Sequence, residues 1–462
     1  MLTVLEPPHI AREAPVDFAL LRTREFARLD AGGHAYLDFT GGALFPDSLV
    51  ASHASMLRES VLGNPHAENP ASLASTGHIV RARARVLQFL DADPNEYTVV
   101  FTANATAALA LVAAAFPFSP DAPLVLTSDN HNSVNGIREF ARRAGSPVHY
   151  LPLDVDLRLD APEARLAALG AHSGGQPLFA FPAQSNFSGV KHSLLLVRAA
   201  QLLGFRVVLD AAALVPMTRL SLRNVPADFV ALSFYKMFGY PTGIGALVVR
   251  RDALAELQRP WFSGGTVDFV SVQNAVHALR GGEEGFEDGT PDFLGIAAVS
   301  AGLDFLDALG LERIERHATA LAVRLMDSFA MLRHTNGAPL VHIYGPRDGR
   351  ARGATVAFNV LDDTGSAVPY SLVERRARVA RLSVRSGCFC NPGASEAAFG
   401  FPADEAATCL ASVSRDGWSL DSFAACMRDY PVGAVRASFG APSNQADVLR
   451  LVSVVESFLT NG

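Results

Sequence analysis

A chain of 462 residues is too long for one ordinary domain and enough for roughly two to four. It is 49% hydrophobic and 18% charged, the composition of a soluble globular protein with a large core. A formal net charge of −7, with acids and bases mixed and no basic tail or stripe, argues against nucleic acid as a partner. Met1 to Ala14 carries charges and prolines but no apolar stretch, which argues against a secretory signal. The most apolar stretch, Ala103 to Phe118, is shorter than the roughly 20 residues a bilayer needs and is broken by Pro117. A cytoplasmic protein that meets no membrane is expected. Four cysteines in so long a chain do not make a disulfide framework. Cys388 and Cys390 share one Cys-Phe-Cys triplet, and Cys409 and Cys426 read as scattered.

From about residue 80 to 250, short apolar runs alternate with amphipathic ones. Val99 to Thr102 reads as a buried strand and Asn104 to Ala115 as a helix. Leu124 to Thr127 is predicted as a strand, and Val134 to Arg143 as a helix. Pro177 to Pro182 is a further strand, followed by a helix over Leu194 to Leu203. Arg206 to Asp210, Phe229 to Ser233 and Gly245 to Val249 complete the strands. Such alternation predicts an α/β fold with a mostly parallel sheet covered on both faces. The pattern changes near Gly295. Ile296 to Leu309 and Glu312 to Leu332 read as long amphipathic helices. Val341 to Ile343, Thr355 to Val360 and Leu382 to Val384 are predicted to form an antiparallel sheet, and Gln445 to Leu459 a closing helix. The reading gives an N-terminal segment, 1–24, able to pack on either domain. A large α/β domain, 25–295, follows, and then a smaller C-terminal α+β domain, 296–462, with the cysteine loop.

Open parallel sheets bind ligands beyond the carboxyl ends of their strands, so the residues there matter most. Thr102-Ala103-Asn104-Ala105-Thr106 ends a strand and opens a helix, offering small residues, hydroxyls and N–H groups at a positive dipole end. That suits a phosphate, and it equally suits an ordinary helix cap. It is not a Walker loop, because the Gly-Lys-Ser/Thr ending is missing. Asp210 ends an apolar strand and could hold a protonated ring nitrogen, or serve as a turn residue. Lys236 follows the strand Phe229 to Ser233, flanked by aromatics and a Gly-rich turn. Burial there would lower its pKa and free the amine for a Schiff base. A surface lysine is the plain alternative, yet Lys191 and Lys236 are the only lysines in the chain. Arg385 to Gly393 forms a Gly/Pro-rich loop with an arginine and two thiols. A thiolate near fixed positive charge is a nucleophile. The same pair could also be small packing residues or half of a zinc site.

Phosphate loop, aspartate and lysine, in that order, resemble the class V pyridoxal 5′-phosphate (PLP) enzymes of the aminotransferase fold. The resemblance is to the cysteine desulfurase branch, and within it to the N-terminal desulfurase domain of molybdenum cofactor sulfurases. It rests on GNPHAENPAS (63–72), YTVVFTANATAAL (97–109), PADFVALSFYKMFGYPTGIGALVVRR (226–251), FEDGTPDFLGIAAVSAG (286–302), VRSGCFCNPGA (384–394) and VRASFGAPSNQADV (435–448). These run through nearly the whole chain. SFYKMFGYPTGIGAL and RSGCFCNPG are the specific strings.

Carried over residue by residue, the resemblance implies a PLP fold type I architecture. Lys236 holds the cofactor as a Schiff base, Asp210 pairs with its ring nitrogen, and His131 stacks on the ring. Asn186 approaches the phenolic side, and Ala105, Thr106 and Ser233 hold the phosphate. Thr290 reaches the phosphate of a neighbouring subunit in a homodimer. Arg436, with Arg385 as a second candidate, binds the substrate carboxylate, and Cys390 accepts the sulfur, with Cys388 preceding it. Three departures stand out. Ala213 sits where desulfurases carry glutamine, and Tyr235 where they carry histidine; the sulfurase branch shares the tyrosine and tolerates a small residue for the glutamine. The chain stops at Gly462, so the molybdenum-cofactor-binding domain of eukaryotic sulfurases is expected to be missing, and the sulfur acceptor to act in trans.

The implied activity converts L-cysteine to L-alanine with a persulfide on Cys390. A Cys-x-Cys pair on an extended loop would point its thiols opposite ways, so that only one faces the cofactor. Gly387 and Gly393 would let that loop swing. The alternatives are a PLP-dependent lyase or epimerase acting on another amino acid, and a PLP-fold regulatory or binding module without catalysis.

Overall fold

In a computed structural model, which describes residues 16–170, 174–413, 417, 419–427 and 430–459, the large sheet has seven strands. Their order is Tyr97–Thr102, Gly245–Arg250, Phe229–Ser233, Arg206–Asp210, Leu178–Pro182, Leu124–Thr127 and Val148–Leu151. Gly245–Arg250 runs antiparallel to both of its neighbours, and the remaining pairings are parallel. Successive side chains on these strands enter different cores. Val207 and Leu209 join one apolar cluster, and Val208 joins the other. Strands covered on both faces must be apolar at every position, which is why they read as continuous runs rather than alternating ones. Each large side chain so buried contributes about 1.5–3 kcal/mol.

The second sheet has four antiparallel strands, ordered Val341–Tyr344, Thr355–Val360, Ala434–Ser438 and Arg385–Gly387. The expected strand Leu382–Val384 is not among them. Leu382–Ser383 pairs in parallel with Ala35–Tyr36, and the next residues enter the sheet. Ala434–Ser438 is a strand the sequence hid, because its apolar run is split by Arg436, although all five residues are buried. The predicted helix Val134 to Arg143 is broken at Gly136 into Asn132–Asn135 and Ile137–Arg143. The hairpin Val267–Ser271 and Val276–Leu279 was also not foreseen.

The first helix, Phe18–Glu25, is tied to the closing helix, Gln445–Glu456, through Arg22. Arg22 is buried between Asp447, at 2.7 Å, and Asp30, at 2.8 Å. A buried charge stripped of its partner costs about 3–5 kcal/mol, so this pair locks the chain's two ends together. Cys409 and Cys426, read as scattered, form a disulfide. The helices Ala403–Val413 and Leu420–Cys426 fold back on each other and close the 17-residue separation. No single helix among the described residues is long and apolar enough to cross a membrane.

Candidate active site

Parallel strands present their carboxyl ends along one edge, and the loops leaving that edge converge. The convergence encloses a cavity of about 170 Å³. Ala105 and Thr106 reach it from the end of Tyr97–Thr102, and His131 from beyond Leu124–Thr127. Asn186 follows Leu178–Pro182, Asp210 ends its own strand, and Ser233 and Lys236 close the ring. The sequence-predicted residues Ala105, Thr106, His131, Asn186, Asp210, Ser233 and Lys236 thus meet in one place. Ala213 and Tyr235, the two departures, line the same cavity, as does Gln184.

Lys236 lies below the surface and keeps only partial access, through the cavity it lines. Burial pushes its amine below the ordinary lysine range. Asp210 counters that, Arg436 and Arg385 add to it, and Cys390 opposes it weakly. Asp210 is buried and spends one carboxylate oxygen on the Ala212 N–H, at 3.0 Å. His131 caps the short helix after it, its Nδ1 accepting from the Ser133 N–H at 3.1 Å. The remaining proton of the neutral ring therefore sits on Nε2. Burial also lowers the His131 pKa, which favours that neutral form. At the helix Ala105–Ala115, Asn104 caps by accepting from the Ala107 N–H, and Ser233 Oγ accepts from the Ala105 N–H at 2.9 Å. Thr106 and Ser133 share a hydroxyl pair at 2.7 Å. A helix start with two hydroxyls suits a phosphate.

Asp38 is the functional candidate the sequence reading missed. It accepts from Arg385 through both oxygens, at 2.7–3.1 Å, and from Arg436 at 3.0 Å. Arg385 and Arg436 are register partners on adjacent strands, and Asp38 bridges to Ser438 on the second of these. Arg436 is almost fully buried, and burial lowers its pKa to about 10. It also donates to the Asn186 carbonyl at 2.8 Å, while its Nε has no partner. The two arginines and one carboxylate leave one positive charge, the complement of a single substrate carboxylate. The apolar run Ala35 to Leu37 ending on Asp38 repeats the pattern that singled out Asp210, but it is too short to read as a strand.

The cysteine loop is a tight turn, not an extended segment. Phe389 and Cys390 both adopt left-handed backbone, with φ of 57° and 56°, and the Asn391 N–H closes on the Cys388 carbonyl at 3.0 Å. Strained non-glycine residues of this kind persist where surrounding contacts fix them. The alternation argument therefore fails: Phe389 is the buried residue, and both thiols are exposed. The Arg436 guanidinium lies over the Phe389 ring at 4.8 Å. The loop is also fastened to the cavity wall. The Cys390 carbonyl accepts from Asn132 N–H at 2.7 Å, and Asn186 donates to the Phe389 carbonyl at 2.8 Å. Asn391 donates back to Asn186 at 2.9 Å. Gly393 serves close approach rather than a swing, since a Cβ there would come 2.1 Å from the Ser128 carbonyl oxygen.

Thr290 lies elsewhere, in a larger hollow of about 490 Å³, and accepts from Asn64 at 3.1 Å. The charges of that hollow are already engaged: Glu287 with Arg83, Asp288 with Arg259, Asp292 as a helix cap.

A buried amine, a carboxylate with an oxygen to spare, a neutral imidazole and a helix start with hydroxyls fit PLP by their donor sets. With the doubly covered sheet, they define a fold type I PLP-dependent enzyme. Residues 35–451 match the family described as aminotransferase class-V, and the chain belongs to that family. It is 38% identical to the molybdenum cofactor sulfurase of Bos taurus over 92% of this chain and 50% of that protein. It is 36% identical to that of Oryza sativa subsp. japonica, over 96% and 58%. The chain thus spans between half and three-fifths of these relatives. Among solved structures, the apo cysteine desulfurase of Thermococcus onnurineus NA1 is similar, with 25% identity, a TM-score of 0.79, and coverage of 96% of this chain and 98% of that one. The Escherichia coli cysteine desulfurase CsdA shares the fold at 23% identity, a TM-score of 0.75, and coverage of 97% and 100%.

The Lys236 environment sets an expected pH behaviour. In cofactor-free protein, borohydride trapping of an aromatic aldehyde on Lys236 should rise with pH around a midpoint well under the usual lysine value of about 10.4. Asp210→Asn should move that midpoint lower still, because removing a negative charge disfavours the ammonium. A wild-type midpoint at the free-lysine value would contradict the burial argument.

Proposed function

We propose that this enzyme is a cysteine desulfurase that converts L-cysteine to L-alanine and stores the sulfur as a persulfide on Cys390. One observation carries the reading: an exposed thiol whose backbone is fastened to two walls of the Lys236 cavity, at Asn132 and Asn186. A passenger cysteine needs neither the strained turn nor the anchors.

PLP, when bound, supplies an electron sink that weakens the bonds around the substrate's Cα and Cβ. Lys236 would hold the cofactor, and as a free amine it can serve as the base beside Cα. Its lowered pKa lets it take a proton and return it. Asp210, buried in the cavity wall with one oxygen to spare, would pair with the cofactor's ring nitrogen and favour its charged form. Arg436, already desolvated and steadied by Asp38, receives the substrate carboxylate and so fixes which bonds face Lys236. The Cys390 thiolate attacks the substrate sulfur: an S–S bond forms, the Cβ–S bond breaks, and the electron pair stays with the carbon skeleton. Protonation completes alanine, and no outside oxidant or reductant is needed. Exposure then lets a sulfur acceptor reach Cys390 from solvent, in trans.

A homodimer belongs to the same reading. Trp261, Phe269, Val272 and Val276 are strongly exposed apolar side chains near Thr290 or on the hairpin Val267–Leu279. Apolar surface on that scale favours a partner, and a second copy that brings Thr290 to the cavity would complete the phosphate site. Mass measured in solution at micromolar protein should be twice that of the chain; a fully active monomer would contradict it.

Cys390→Ser should lower alanine formation from L-cysteine by on the order of 10³-fold or more, the loss expected for a covalent nucleophile. Mass spectrometry should find one added sulfur on the Cys390 peptide, kept in Cys388→Ser and lost in Cys390→Ser. Wild-type turnover in Cys390→Ser would leave the elimination lyase as the better reading.

A further inference from the structure

Besides Lys236, two polar side chains of the cavity make no hydrogen bond among the described residues, Gln184 and Tyr235, and Tyr235 lies in the field of Arg385 and Asp38, on the substrate-carboxylate side. Gln184 is only 4% exposed, yet neither polar atom of its amide has a hydrogen bond. The other amides of the cavity are engaged: Asn104 caps its helix, and Asn186 is committed at both ends to the cysteine loop, through Phe389 and Asn391. An amide with no partner of its own that opens onto a cavity is free to meet a polar group bound there. The Gln184 amide is so placed, since it faces the cavity that Asp210 and Lys236 line. Gly353 makes room for it: a Cβ at that position would come 2.3 Å from the Gln184 Oε1 atom.

We propose that Gln184, and not Asn186, supplies the hydrogen bond to the ring-borne phenolic oxygen of PLP. The other polar groups of the cofactor have candidates already: Lys236 for the aldehyde carbon, Asp210 for the ring nitrogen, the start of Ala105–Ala115 for the phosphate. The phenolic oxygen is the one group left, and Gln184 is the cavity amide with no partner of its own. Asn186 then has a different task. Its backbone carbonyl steadies Arg436 and its side chain holds the turn that carries Cys390, so it couples substrate binding to thiol position.

The division rests on PLP being bound at Lys236, and the experiment separates the two claims. Holoenzyme is titrated, and the pH midpoint of the visible band of the lysine-bound cofactor is read. Losing a donor to the phenolic oxygen leaves its negative charge less stabilised, so the imine nitrogen holds its proton more tightly and the midpoint rises. Gln184→Leu should raise it by about one pH unit, the size of one hydrogen bond to a charged group. Gln184→Glu, which sets a like charge against the oxygen, should raise it at least as far. Asn186→Ser should leave the midpoint in place while slowing persulfide formation on Cys390. If Gln184→Leu does not fold, Gln184→Asn withdraws the amide by one methylene and should raise the midpoint in the same direction. An unchanged midpoint in the Gln184 variants, or a rise in Asn186→Ser instead, overturns the assignment. Absence of any visible band in the wild-type protein would defeat the cofactor reading, a different failure.

Discussion

Lys236 is a cation held where its charge is disfavoured, and much of the surrounding structure answers that constraint. Burial lowers its pKa, and Arg436 and Arg385 push in the same direction. Asp210 alone among its larger influences holds the pKa up. An amine so placed gives up its proton more readily than a free lysine, but only while the sheet edge stays closed around it. The seven-stranded sheet supplies that rigidity, because its inner strands are buried on both faces and cannot shift singly.

Charge compensation then links the two sheets. Asp38, just beyond a two-residue strand, serves both Arg385 and Arg436 on the four-stranded sheet. Without it two arginines would face each other beside a buried lysine. With it the arginine cluster keeps one net charge for one incoming carboxylate. Asn186 extends the connection to the thiol loop, so that the carboxylate site and the sulfur-accepting turn share a single anchor.

Much of this was legible in the sequence, for physical reasons. Fully buried strands such as Arg206–Asp210 must be apolar throughout, and the polar residue that ends one is conspicuous. Asp210 was found that way, and Lys236 by its place just after Phe229–Ser233 and by the scarcity of lysine. Ala434–Ser438 was not, because a buried arginine breaks the apolar run, and such an arginine is tolerable only where a distant carboxylate meets it. That carboxylate, Asp38, is roughly 400 positions away in the chain, and no local pattern announces the pairing. The thiol loop was found by composition, but its shape was misjudged. Extended alternation was assumed, whereas two consecutive left-handed residues expose both thiols and bury the phenylalanine between them. The disulfide between Cys409 and Cys426 was hidden because it depends on two helices folding back on each other.

The central claim is that sulfur leaves the substrate onto the enzyme's own thiol rather than into solvent, and product stoichiometry tests it most directly. Holoenzyme mixed with about one equivalent of L-cysteine per chain, without an added reductant or acceptor, should form about one alanine per chain, with the sulfur retained on the protein. Formation of pyruvate and free sulfide, without alanine and without sulfur bound to the protein, would contradict the account.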